Sequence, residues 1–427
     1  MAKSLGLTEL IAIAIGGMVG GGIFTILGIS VAMVGTLSPF AIAIGGVFAL
    51  FGAYSYVKLG IYYKDEGATY AFFKRTYPKS KLAASFIGWY TIFGYISTLA
   101  LYAYTFASYA ISGYSNGEIL RKSIAILIIA IFAFVNIWSV RGMGKIEDFM
   151  VYIKLIILLA ISALFIYFGK TDLNNFISTL QQDFKSSSFL DIVTVSAITF
   201  VAYEGFQLVV NAVNEMQNPQ KNIPRAIYSA VIIVATIYFI IALGAVLAIP
   251  AEDLIKNKEY ALASGAKDIL GSFGENLVIV GALLATSSAI SSTLFGSSRQ
   301  MARVADDGYM PTFLAKRRGT IPTNAIILMA ILASLLIVSG GLRVILEFGS
   351  ITFLLVSLLM AIANFKIRKK TNSHPVFALI AIFGLIIGAI LILWYEYKVE
   401  FKQLIFIASI YLLLTIGALI SIKENHD

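Results

Sequence analysis

Two charged side chains sit where charge is expensive. Glu204, in AYEGF (202–206), and Lys154, in DFMVYIKLIILLAIS (148–162), are each embedded in long apolar sequence. An ionisable group at membrane depth costs about 2.5–3.5 kcal/mol on insertion scales, so it is a functional candidate by default. Such a carboxylate can read a cationic group, gate a pocket or carry a proton; its bland alternative is a structural carboxylate satisfied by its neighbours. On sequence alone the lysine can snorkel to the nearer interface. Two further sets of residues have the chemistry to serve them. Five glycines, Gly16, Gly17, Gly20, Gly21 and Gly22, crowd AIAIGGMVGGGIF (12–24), and Ser287, Ser288, Ser291 and Ser292 crowd ATSSAISS (285–292). Backbone N–H groups at the start of a helix favour an anion. Hydroxyls on a membrane helix face a sodium ion or an ammonium group, or simply pack against a neighbouring helix.

What is missing narrows the chemistry further. The chain has no cysteine and two histidines, His374 and His426, both near its C-terminal end. Disulfides, thiolate catalysis and Cys/His metal sites are thereby excluded, and no metal or other cofactor is expected. Hydrophobic residues make up 59% and charged residues 13% of the 427 positions, and mean hydropathy is +0.87. That much apolar surface calls for a lipid bilayer as solvent. The net charge of +9 lies in short loops between apolar runs, where it orients a membrane protein rather than binding nucleic acid.

The elements that must position these groups are therefore membrane helices. A run of about 20 apolar residues crosses a hydrocarbon core about 30 Å thick. Twelve such runs occur, at 8–34, 38–62, 83–112, 122–140, 149–169, 189–214, 224–249, 275–302, 323–341, 344–365, 375–396 and 402–422. The expected fold class is an all-α integral membrane protein with twelve transmembrane helices. With that count the termini and even-numbered loops share one side, which carries twenty Lys and Arg against ten on the other. The asymmetry predicts that both termini are cytoplasmic. No stretch outside the runs exceeds about 25 residues, so no separate soluble domain is expected.

Glycine costs about 1 kcal/mol relative to alanine inside a helix, so five in one turn make the first span easy to unwind. The alternative is close helix packing, since Gly16-x-x-x-Gly20 and Gly17-x-x-x-Gly21 fit the small-xxx-small pattern. A second interruption, Tyr203-Glu204-Gly205 in the sixth run, favours unwinding. Breaks in corresponding positions of two halves point to a transporter's binding site, and the first and sixth spans correspond if each repeat has five helices.

Five segments carry a resemblance. GGGIF (20–24), AYEGF (202–206), NEMQNPQKNIPRAI (214–227), SSRQMARVADDGYMP (297–311) and IPTNA (321–325), in that order, resemble the amino acid–polyamine–organocation (APC) superfamily of secondary transporters. The resemblance implies the LeuT-like fold: a first five-helix repeat over 1–169, a second, inverted one over 189–366, helices 1 and 6 interrupted, and helices 11 and 12 over 375–422. It places an amino acid between the breaks, its carboxylate on the N–H groups of Gly20, Gly21 and Gly22 and its ammonium on carbonyls around Ile15 to Gly17 and Ala202 to Glu204. Tyr203, Gly205 and Gln207 join this substrate-binding set. Two positions depart from the family pattern: Glu204 stands where many relatives are apolar, and Gln207 where many are acidic. An acid moved by one turn could recognise a cationic or polyamine-like side chain. The resemblance also places Lys154 where sodium-dependent members hold an ion between the first and eighth helices, with Ser287 and Ser288 as partners. The reading is a proton-coupled, sodium-independent amino acid transporter of the cell membrane working by alternating access, with no catalytic residues. An exchanger is the nearest alternative; a membrane receptor or enzyme is a more distant one. The sequence leaves the oligomeric state open.

Overall fold

The computed structural model describes residues 5–111, 117–138, 140–169, 173–256, 260–339, 342–399 and 401–426. Among them there is no strand, only two isolated bridges, Leu5 with Met216 and Arg318 with Ile321. Of the residues in the charge count, Lys3, Lys170 and Lys258 lie outside the described set.

The helices, in chain order, are α1 (Leu7–Met18), α2 (Gly21–Val34), α3 (Ser38–Tyr63), α4 (Ala68–Thr76), α5 (Lys81–Ala110) and α6 (Glu118–Trp138). They continue with α7 (Val140–Phe168), α8 (Leu173–Ser186), α9 (Phe189–Ile198), α10 (Leu208–Asn211), α11 (Pro219–Ala248) and α12 (Ala251–Lys256). The last are α13 (Ala261–Asp306), α14 (Thr323–Ser339), α15 (Leu342–Lys366), α16 (Pro375–Val399) and α17 (Phe401–His426). Nine segments among the described residues are long and apolar enough to cross a membrane; α1 and α14 are shorter apolar helices. The chain is a multi-pass membrane protein.

Local chemistry explains several boundaries. Proline stands in the first turn of α3 and α11, where its missing N–H costs nothing. Ser188 and Asp191 form a reciprocal capping box at the start of α9. Gly271, at φ 65°, breaks the backbone of α13 ahead of the eighth apolar run. The fifth run extends further back than hydropathy gives: α7 begins at Val140 rather than near 149, which brings Glu147 into the helix.

The interior is one large cluster reaching from Leu10 to Leu414, while Phe134, Trp138, Tyr167 and Leu413 stand outward. That inversion is unremarkable for a body solvated by lipid. In the middle, α5 and α7 pack against α13, and α11 packs against α1, α3 and α7. At the end that carries α4, polar groups tie the motif segments together. Lys74 pairs with Asp307 at 2.9 Å, Arg75 with Asp65 at 2.7 Å and Arg317 with Glu66 at 3.1 Å. Asn211 and Asn214 reach Glu66 at 2.8 and 2.9 Å, and Leu5 exchanges backbone hydrogen bonds with Glu215 and Gln217. The motifs 214–227 and 297–311 are thus joined through one end of the bundle.

Exposure supplies clean positions for testing the expected orientation, because Ser186 and Lys370 are both exposed and the native chain has no cysteine. In intact cells, an impermeant maleimide should label Ser186→Cys and spare Lys370→Cys until the membrane is permeabilised. The opposite labelling pattern would reverse the orientation expected from the charge asymmetry.

Candidate functional site

Both expected interruptions are present. Helical geometry ends at Met18, Val19 adopts φ −83° and ψ 80°, Gly20 is extended at φ −125° and ψ −137°, and α2 begins at Gly21 with no side-chain cap. In the sixth run α9 passes into a 3-10 turn over Thr199–Tyr203, Glu204 is extended at φ −70° and ψ 138°, and Gly205 takes φ +129°. The two breaks meet backbone to backbone. A β-carbon on Gly205 would collide with the carbonyl carbon of Gly17, and its φ already belongs to the region that favours glycine.

The carbonyls released by the first break are taken up from three directions. Lys154 Nζ donates to the carbonyl of Val19 at 2.8 Å and to Ser288 Oγ at 2.9 Å, with longer contacts to the carbonyls of Ile15 (3.4 Å) and Gly16 (3.5 Å). Tyr102 of α5 donates to the carbonyl of Gly17 at 2.9 Å. Tyr238 of α11 donates to the carbonyl of Met18 at 2.9 Å and to that of Ala202 at 3.1 Å, thereby linking the two breaks. Lys154 is 0% exposed. The snorkelling alternative is therefore overturned: its stem runs inward from α7, and its ammonium is spent on α1 and α13.

Behind Lys154 lies a residue that sequence reasoning missed. Glu147 is 1% exposed, and its Oε1 accepts from Ser288 Oγ at 2.7 Å and Ser292 Oγ at 2.6 Å. Gly16 is what lets it approach α1: a β-carbon there would occupy the place of Glu147 Oε1 and stand 2.6 Å from Ser292 Oγ. Residues seven apart share a helix face, so the spacing of Glu147 and Lys154 was the available signal. Starting the fifth span at 149 concealed it. Of the two serines expected beside Lys154, Ser288 makes the bond; Ser287 leaves the same helix about 100° away.

The remaining expected residues divide by environment. Gly20 stands against Tyr102 and Ala289, Gly21 against Thr105, and Gly22 against the backbone of Ala202. Glu204 is 2% exposed; Gln207 Nε2 donates to its Oε2 at 2.6 Å, and Ser357 Oγ approaches its Oε1 at 3.4 Å. Gln207 also accepts from the N–H of Gly205 at 3.0 Å, so a side chain expected in the substrate-binding set braces the break. Tyr203 turns away, donating to the carbonyl of Ile42 in α3 at 2.7 Å. A cavity of about 430 Å³ lies elsewhere, between Val31 of α2 with Gly35 and Thr36 just beyond that helix on one side and Asp253 and Asp268 on the other. Among the described residues no group of three or more His, Cys, Asp or Glu is placed to hold a metal.

The contact between the breaks has a direct test. Gly205→Ala combines an unfavourable φ, costing about 1–3 kcal/mol, with overpacking worth about 1–3 kcal/mol more. Gly319→Ala, at φ 64° with nothing within 4 Å, carries backbone strain alone. Thermal unfolding of the purified proteins in detergent should show Gly205→Ala much the weaker; equal losses would mean that the breaks do not abut.

Comparison with known proteins gives a consistent result. The model of a family described as amino acid permease matches residues 5–424. The inner membrane transport protein YbaT of Escherichia coli is 30% identical over 431 residues, covering 99% of this chain and 97% of its own. An uncharacterized protein of Methanocaldococcus jannaschii is 30% identical over 403 residues, covering 92% and 90%. The serine/threonine exchanger SteT of Bacillus subtilis is 26% identical over 317 residues, covering 73% and 70%.

Proposed function

This chain belongs to the amino acid permease family, and on that premise we propose that it is a secondary transporter of amino acids working by alternating access, driven by protons and independent of sodium. The observation that carries the reading is the ammonium of Lys154, which gathers the carbonyl of Val19 and the hydroxyl of Ser288 in short bonds and the carbonyls of Ile15 and Gly16 in longer ones. A buried monovalent cation would ask for the same kind of oxygen set, drawn from the same two helices. A lysine there replaces a sodium ion with a charge that can be added or removed by a proton.

In this reading the twelve apolar runs are twelve spans in a LeuT-like inverted repeat, the termini are cytoplasmic and the protein resides in the cell membrane. The substrate's carboxylate goes to the N–H groups of Gly20, Gly21 and Gly22, which open α2 without a capping side chain. Its ammonium goes to the carbonyls of the two breaks, where Tyr102 and Tyr238 now donate. Loading therefore requires those hydroxyls to yield. Exchange is a second reading, favoured by the relative named as a serine/threonine exchanger.

The coupling is tested in sodium-free proteoliposomes with the outside acidified, using a radiolabelled mixture of L-amino acids. The wild type should accumulate label against its gradient, and Lys154→Ala should not, although it still inserts. A strict sodium requirement, or full gradient-driven accumulation by Lys154→Ala, would sink the reading. Counterflow without response to the pH gradient would select exchange.

Selectivity is tested at Glu204. If its carboxylate recognises a cationic substrate group, Glu204→Gln should weaken competition by lysine or a polyamine by about 10–100-fold, the range expected for a hydrogen bond to a charged group. Competition by neutral amino acids should persist. Equal loss for all competitors, together with lower stability, would make Glu204 the support of the break that its bond to Gln207 resembles.

A further inference from the structure

The bond directions around Lys154 form a continuous path. Lys154 Nζ donates to Ser288 Oγ at 2.9 Å, and Ser288 Oγ in turn donates to Glu147 Oε1 at 2.7 Å. A single hydroxyl therefore stands between a buried amine and a buried carboxyl, acting as acceptor towards one and donor towards the other. Glu147 Oε2 is buried and takes no hydrogen bond in the structure, so one end of the path carries an unspent acceptor.

We propose that Glu147 is the proton acceptor of Lys154, taking the proton at Oε1 and passing it on towards the cytoplasm from the unbonded side of its carboxyl. The inference deepens the reading of Lys154 as a proton-coupled cation and rests on it. The transfer balances within three groups. The lysine ammonium gives one proton to Ser288 Oγ, and Ser288 gives its own hydroxyl proton to Glu147 Oε1. The products are a neutral amine, an intact serine hydroxyl and a neutral carboxylic acid. When the cluster opens, a half-turn of the carboxyl about Cγ–Cδ brings the protonated oxygen to the side now held by the unbonded Oε2, where Glu147 releases the proton to water, and the amine regains one from the other side.

Position supports this direction. Glu147 precedes Lys154 by seven residues, about 10 Å along α7 at 1.5 Å per residue. It therefore lies towards the helix end that the charge asymmetry assigns to the cytoplasm. Packing keeps competing groups few. The charges acting on Glu147 are Lys154 and Asp148, both on α7; α13 brings only the hydroxyls of Ser288 and Ser292. On α1, Glu9 acts on Asp148. Gly16 of α1 leaves room for the carboxylate and nothing more.

The test uses the full-length protein in sodium-free proteoliposomes with a radiolabelled mixture of L-amino acids and a trapped pH dye. Glu147→Gln should lower gradient-driven accumulation and coupled proton entry by about tenfold or more, within the range for losing a proton-transfer group. Counterflow should fall by much less. Ser288→Ala, which leaves both titratable groups in place but removes the hydroxyl between them, should show the same split; it carries the test if Glu147→Gln does not fold. Glu147→Asp should restore part of the accumulation with a displaced pH profile. Gradient-driven uptake by Glu147→Gln equal to wild type would overturn the inference and leave the Lys154 reading standing. So would parallel loss of counterflow and accumulation with no rescue by Glu147→Asp, which would make Glu147 a structural brace. A wild type indifferent to the pH gradient would remove the proton-coupled reading and this inference with it.

Discussion

A helix that stops inside a bilayer leaves carbonyls and N–H groups that lipid cannot satisfy, at a cost of several kcal/mol each. The centre of this protein is organised by that constraint. The break after Met18 takes the carbonyls of Gly17, Met18 and Val19 out of the helical ladder; Met18 accepts from the N–H of Gly20, and each of the three is met by a donor from a different helix: Tyr102 of α5, Tyr238 of α11 and Lys154 of α7. The neighbours of α1 are therefore bound to it through its defect. An intact helix would offer them only side-chain packing.

Satisfaction by side chains rather than by backbone has a mechanical consequence. Tyr238 spans both breaks through Met18 and Ala202, and Lys154 joins α1 to α13 through Ser288. A ligand that competes for any of these carbonyls, as a substrate ammonium would under the proposed function, acts at once on several helices. Coupling between substrate and proton then needs no long relay. It follows from two cations sharing one set of oxygens, so that the affinity of one depends on the placement of the other.

Much of this centre was legible in the sequence because its residues are conspicuous in lipid. Glycines in a helix, a glutamate beside one of them and a lysine among isoleucines each violate the local pattern, and the structure gathers the glycines of 16–22, Gly205 and Lys154 into one region. The residues that were missed obey the pattern. Tyr95, Tyr102 and Tyr109 recur every seven residues on α5 and all three are buried, so the spacing singles none of them out. Nothing short of the fold reveals that Tyr102 ends on the carbonyl of Gly17. Glu147 failed for another reason. A hydropathy window ends a span at the first dense charge, here Lys145, Glu147 and Asp148, whereas α7 continues through them because a carboxylate facing α1 and α13 does not face lipid.

The same residue explains how so polar a cluster can exist at depth. An isolated ammonium or carboxylate, taken out of water, forfeits more than its hydrogen bonds return. Under the proposed function Lys154 and Glu147 together carry no net charge, and Ser288 and Ser292 satisfy the carboxylate oxygen that faces them. Transfer of a proton from one to the other converts an ion pair into a neutral pair and leaves the net charge at zero. No charge need be created in the dry interior for that internal step. Only exchange with bulk water alters the net charge of the cluster, and that step is cheap only when water has entered. Under the proposed function, the electrostatics alone would therefore confine proton exchange with solution to states in which α1 has moved away from α7 and α13. An alternating carrier needs that order of events, and under the proposed function it would follow from burying a base beside an acid rather than from any separate gate.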